Sequence, residues 1–124
     1  MLSATIYAKN FPAMVDLYRE LLNADVIDEG DSFCTMTGPE FSLTVAKIPS
    51  EIAGTFEISL PPIPREDAAI KLSIPVEDLN AARRLIRSHG GVDDEERSPW
   101  VWNDVGHLNV TDLEGNVLEL TSSQ

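Results

Sequence analysis

The sequence predicts an α+β chain of two βαβββ modules that form a curved mixed sheet around a cup, with the helices on the outer face. Three observations lead there. Short stretches alternate apolar and polar residues at the period of half-buried strands. The order strand, helix, three strands occurs twice. Setting Ile6 on Ile74 also brings Asn10 onto Asp78, Phe11 onto Leu79, Ala13 onto Ala81 and Leu17 onto Leu85, an internal repeat.

In the first module, Leu2, Ala4, Ile6 and Ala8 alternate with Ser3, Thr5, Tyr7 and Lys9, so one face of the strand is apolar and the other mostly polar. Asn10 is placed to cap a helix with Pro12 in its first turn, and Met14, Leu17, Tyr18 and Leu21 give that helix one apolar stripe. It should end near Asn23. Strands are expected around 25–28, 32–37 and 40–47, separated by Glu29-Gly30-Asp31 and Gly38-Pro39. Residues 49–67, with Pro49, Pro61, Pro62 and Pro64, read as a linker in which Phe56–Leu60 is an edge-strand candidate.

The pattern then returns. Ile70, Leu72, Ile74 and Val76 alternate with Lys71, Ser73 and Pro75. Asp78 caps a helix striped by Leu79, Ala82, Leu85 and Ile86, and Gly90-Gly91 closes it. Strands are expected at 92–97, 100–110 and 116–121, with the turn Asp112-Leu113-Glu114-Gly115 before the last. Aligning Gly38 with Gly115 gives the second copy about nine extra residues, placed in Asp93–Asp104. The expected organisation is one domain over 1–124, with module one at 1–48, a linker at 49–67 and module two at 68–124.

Composition bounds the function. A chain of 124 residues is long enough for a core without disulfide or metal staples. Its 43% hydrophobic and 24% charged content is that of a globular chain. Nine basic against twenty-one acidic residues give a net charge of −12, which repels phosphate backbones and anionic membranes, so neither nucleic acid nor a membrane is an expected partner. Cys34 is the single cysteine, and no Cys/His cluster is spaced to hold zinc. With no signal-like or membrane-spanning stretch in the sequence, a reducing cytoplasm is the expected location.

The repeat, the segment Phe11–Leu22 and above all Asp112-Leu113-Glu114-Gly115-Asn116-Val117-Leu118-Glu119-Leu120 resemble the vicinal oxygen chelate superfamily, whose D-P-D-G-N-x-x-E-L signature the last segment approaches. The resemblance covers nearly the whole chain. The superfamily includes glyoxalase I, bleomycin-resistance proteins, fosfomycin-resistance enzymes, extradiol dioxygenases and methylmalonyl-CoA epimerase, so membership leaves the reaction open. It also implies a homodimer.

Metal-dependent members present four inward positions, usually His or Glu. Carried onto this chain, those positions are Ser3, Ser42, Lys71 and Glu119. A lysine ammonium has no lone pair for a metal and repels one, so the resemblance with this residue set implies a cup without metal or other cofactor. Lys71 and Glu119 should form an ion pair across it. Glu119 then either holds Lys71 or serves as a general base.

Other residues carry two readings each. His107 shares a polar strand face with Asn109 and Thr111, either in the pocket or on the surface. Trp100 and Trp102, two apart, can stack on a flat ligand, anchor a dimer or simply pack. Tyr7 offers a phenol beside Ser3 and Thr5, or merely fills the cup. His89, just before Gly90-Gly91, suits a helix C-terminus, and Cys34 reads as packing. The leading expectation is a metal-free protein of the bleomycin-resistance type that binds a small organic molecule. Its rivals are a glyoxalase- or dioxygenase-type enzyme with a metal on Glu119 and His107, and a metal-free enzyme with Glu119 as base and Lys71 as oxyanion partner.

Overall fold

The computed structural model describes residues 1–123. Gln124, the last residue of the expected second module, lies outside the described residues. The chain divides into two compact units, one from Met1 to Glu57 and one from Ile58 onward. The first contains β1 (Leu2–Ala8), α1 (Phe11–Leu22), β2 (Asp25–Glu29), β3 (Phe33–Thr37), β4 (Phe41–Lys47) and a short α2 (Ser50–Ala53). The second contains β5 (Leu72–Pro75), α3 (Leu79–Ser88), β6 (Trp100–Trp102), β7 (Val105–Thr111) and β8 (Val117–Ser123).

Each unit is a four-stranded mixed sheet with one main helix. The strand orders, β1-β4-β3-β2 and β5-β8-β7-β6, are the same topology repeated. In both, the first strand runs parallel to the last and the remaining pairs are antiparallel. The expected α+β architecture of two βαβββ modules is therefore the observed one.

Local chemistry sets the helix ends. The Asn10 side chain accepts from the Ala13 amide at 3.4 Å, and Asn23 closes α1 in the left-handed region at φ 46°. Asp78 caps α3 in the same way, accepting from the Ala81 amide at 3.1 Å. In unit one Met14, Leu17, Tyr18 and Leu21 are buried, as are Cys34, Met36, Leu43 and Val45 of the sheet that α1 packs on. In unit two Ala82 and Ile86 are buried, together with Ile74, Leu108, Val110, Leu118 and Leu120 of the sheet beneath α3. Period-2 strands and a period-3.6 helix each bury one face, and the two faces meet.

Three expectations about strands are corrected. Phe56–Leu60 forms no strand. Instead Lys9 donates to the Phe56 carbonyl and lies 5.0 Å above the Phe56 ring, which ties this stretch to the end of β1. Residues 92–97 contribute only a single bridge, Val92 to Thr111, before the chain turns away. The expected strand 100–110 is a hairpin: Asn103 and Asp104 take φ of 54° and 61° and separate β6 from β7. Two consecutive positive-φ residues of the Asn/Asp type make the tight turn whose twist suits flanking strands. No helix among the described residues is long and apolar enough to cross a membrane.

Candidate functional site

The site starts from the turn between β7 and β8. Asp112, fully buried, accepts from the amides of Glu114 at 2.9 Å and Asn116 at 3.0 Å, and from the Asn116 side chain at 2.8 Å. Gly115 takes φ +91°, and a Cβ there would lie 2.6 Å from the Ile63 carbonyl, so the position requires glycine on both counts. The Asp-x-x-Gly-Asn pattern is thus a self-satisfied turn that fixes where β8 begins. Three residues beyond Asn116, Glu119 emerges on the polar face.

Around Glu119 three side chains converge. His107 Nδ1 lies 2.9 Å from Oε1, the Ser73 hydroxyl donates to Oε1 at 3.3 Å, and the Lys71 ammonium lies 3.2 Å from Oε2. Lys71 also donates to the Asn109 side chain at 3.2 Å. Glu119 and His107 keep only 15% of their side-chain surface, against 41% for Lys71. The hydrogen bond from His107, aided by Lys71, holds the Glu119 carboxyl below the ordinary carboxylate range despite the opposing effect of burial. The other ring nitrogen of His107, Nε2, is buried with no hydrogen-bond partner among the described residues. The Trp100 ring stacks on His107, with centroids 5.3 Å apart at 14°, and Trp102 lies 6.4 Å away at a tilt. Both indoles still expose much of their surface, 44% and 68%.

The expected ion pair between Lys71 and Glu119 is present. Its route differs from the one the repeat suggested, because ladder register pairs Ser3 with Ser42 but Ser73 with Glu119. Lys71 lies two residues before Ser73, just ahead of β5, and its long stem carries the ammonium to the carboxylate.

In unit one, Ser3, Ser42 and Thr37 form one row across the sheet, and Thr5, Thr44 and Thr35 the next, with Thr35 and Thr44 hydroxyls 2.8 Å apart. Tyr7 is 66% exposed. Cys34 is buried beneath the opposite face, and burial pushes its thiol pKa up, as for a packing residue.

Sequence reasoning passed over a second cluster in unit two. Asp93, whose side chain is fully buried, is held by Arg83 at 2.8 Å and Arg87 at 2.6 Å, and Arg83 also donates to the Asp94 carbonyl at 2.6 Å. Its signal was an arginine beside Ala82 on the apolar stripe of α3, where only a paired charge is tolerated.

A divalent metal does not fit the Glu119 cluster. Among the described residues no three His, Cys, Asp or Glu side chains gather as metal ligands, and the one central carboxylate has its two oxygens occupied by an imidazole, a hydroxyl and an ammonium. A cation there would sit against a positive charge.

The fold accords with comparisons to known proteins. The model of the Glyoxalase/Bleomycin resistance protein/Dioxygenase superfamily matches residues 1–120, and the chain belongs to that family. A glyoxalase/bleomycin resistance protein from Albidiferax ferrireducens T118 is 13% identical with a TM-score of 0.69, covering 100% of this chain and 98% of its own. A bleomycin-binding protein solved with bleomycin is 13% identical with a TM-score of 0.56, covering 100% of this chain and 98% of its own. The fosfomycin resistance protein FosX from Listeria monocytogenes, solved with Mn(II) and sulfate, is 13% identical with a TM-score of 0.67, covering 100% and 89%. At such identities the likeness shows the fold. No curated protein matches the chain.

Proposed function

We propose that this chain is a metal-free small-molecule-binding protein of the bleomycin-resistance type, with its ligand held on the polar face of unit two. The observation that carries the reading is the Lys71 ammonium on Oε2 of Glu119, which supplies from the protein the positive charge that a metal would bring. Glu119 then positions groups instead of ligating: it orients His107 and holds Lys71. A flat organic ligand stacks on the exposed indoles of Trp100 and Trp102, while Lys71 and Asn109 provide a cation and an amide for its polar edge. Ser3, Ser42 and Tyr7 offer a further hydrogen-bonding surface on unit one. A homodimer is part of the proposal, since β1, β2, β5 and β6 each end a sheet and a second copy covering such an edge protects it.

Trp100 and Trp102 are the only tryptophans, so selectively excited tryptophan emission reports on this face alone. Titration of chelator-treated protein with bleomycin and 2-naphthol is expected to change the emission saturably for at least one of them, and the single variants Trp100→Ala and Trp102→Ala, each read through the remaining indole, to weaken that binding. Failure of both probes, or binding only after a divalent metal is added, overturns the reading. Stoichiometric metal in protein purified without chelator favours the glyoxalase- or dioxygenase-type alternative.

A further inference from the structure

A cavity of about 460 Å³ opens in unit two beside the Glu119 cluster, shares Lys71 and Asn109 with it, and has the volume of a small-molecule site. Its walls come from the segments around Pro64–Lys71 and Val92–Arg97 and from the ends of β7 and β8. Apolar surface is supplied by Ile70, Val92 and Val117, and positive charge by Arg65, Lys71 and Arg97. Three of the nine basic residues of a chain with net charge −12 therefore meet around one hollow.

The two arginines are available. Ion pairs among the described residues engage Lys71, Arg83, Arg87 and His107 and leave Arg65 and Arg97 outside them. Glu66 and Asp94 also lie on the wall, but the Asp94 carboxylate is turned to the Glu96 amide at 3.1 Å. Both arginines are held by backbone: the Arg65 amide donates to the Gly115 carbonyl at 2.8 Å, and the Arg97 amide to the Asp94 carbonyl at 3.0 Å. The conformation that demands glycine at position 115 thus also brings Arg65 to the rim.

We propose that this cavity binds the carboxylate of a small organic acid between Arg65 and Arg97, with the apolar body of the acid against Ile70, Val92 and Val117. The inference rests on the binding function proposed above and names the ligand class for the cavity beside the tryptophan face, which shares Lys71 and Asn109 with it. A guanidinium pairs with a carboxylate through two parallel hydrogen bonds, which a neutral amide cannot match. Two guanidinium groups at the rim, free of ion pairs among the described residues, also give an anion a local attraction on a chain that otherwise repels it.

The test is calorimetric titration with 2-naphthoate and its neutral analogue 2-naphthamide. Naphthoate is expected to bind at least about tenfold more tightly than the amide, since a charged hydrogen-bonded pair is worth at least one decade of affinity. The double variant Arg65→Gln, Arg97→Gln should remove that advantage without changing the amide affinity. Both arginines are exposed, so the variant should melt with the parent. Equal affinity for acid and amide, indifference of naphthoate to the arginine substitutions, or no naphthoate binding at all overturns the inference. If the amide still binds and Trp100→Ala weakens it, the binding function survives that failure. Loss of the tryptophan dependence strikes the binding function instead.

Discussion

Unit one and unit two share strand order and ladder register, and they differ in the side chains set on the face away from the helix. Ser3, Ser42 and Thr37 occupy the row that Ser73, Glu119 and Asn109 occupy in the second copy. In the next row Thr35 stands where unit two places His107. Hydroxyls satisfy one another in place, as Thr35 and Thr44 do at 2.8 Å. A carboxylate at 15% exposure instead recruits a hydroxyl, an imidazole and an ammonium. One backbone, repeated, yields a row of hydroxyls in one half and a charged cluster in the other.

The largest expected break in that comparison lies in the Asp93 clamp of unit two. Removing the Asp93 carboxylate leaves Arg83, 9% exposed, without its partner, and Asp93→Ala should cost about 3 to 5 kcal/mol in urea denaturation. A loss below about 1 kcal/mol would show that the clamp is not holding the inserted segment.

Next come the corresponding glycines. Gly115→Ala meets both a φ of +91° and the Ile63 carbonyl and should cost about 1 to 3 kcal/mol. Gly38→Ala meets only the ring of Phe41, which can turn aside, so its loss should be smaller. Equal losses would contradict the claim that the signature turn is the more constrained of the two.

Smaller still is the hydroxyl pair of unit one. Thr35→Val or Thr44→Val alone should cost about 1 kcal/mol by stranding the other hydroxyl, while the double variant should be no worse than either. Additive losses would show that the two hydroxyls have other partners.

The smallest effect depends on pH. Because the folded-state pKa of Glu119 is lowered, its contribution is complete above the ordinary glutamate value of about 4.3 and is lost as pH falls through the lower folded value. The melting-temperature gap between parent and Glu119→Gln should therefore narrow from about pH 6 to about pH 3. Ser42→Ala, at the matching position of unit one, should show no such trend. A gap independent of pH would mean that the ionised carboxylate adds nothing to stability.

Local signals made much of this legible in the sequence. Asn10 and Asp78 announced the helix starts, period-2 alternation announced most strands, and the family resemblance, carried along the repeat, brought Lys71 and Glu119 together. Long-range facts were hidden. The turn at Asn103-Asp104 lay inside what periodicity read as one strand, because Trp100, Val101 and Trp102 continue the apolar pattern of β7. The register that aligns Ser73 with Glu119 depends on pairing with β8, and the spacing from the Asp78 cap points two residues too early. The Arg83–Asp93 clamp joins residues that no local pattern relates, and Arg65 reaches its cavity only through the docking of its backbone on Gly115.

The central claim is that Lys71 fills the place of a cation at Glu119. Isothermal titration of chelator-treated protein with Zn²⁺ and Mn²⁺, in the parent and in Lys71→Ala, tests it most directly. The account predicts no stoichiometric binding of either ion to the parent at micromolar concentration. One equivalent bound by the parent and lost in Glu119→Gln would contradict it.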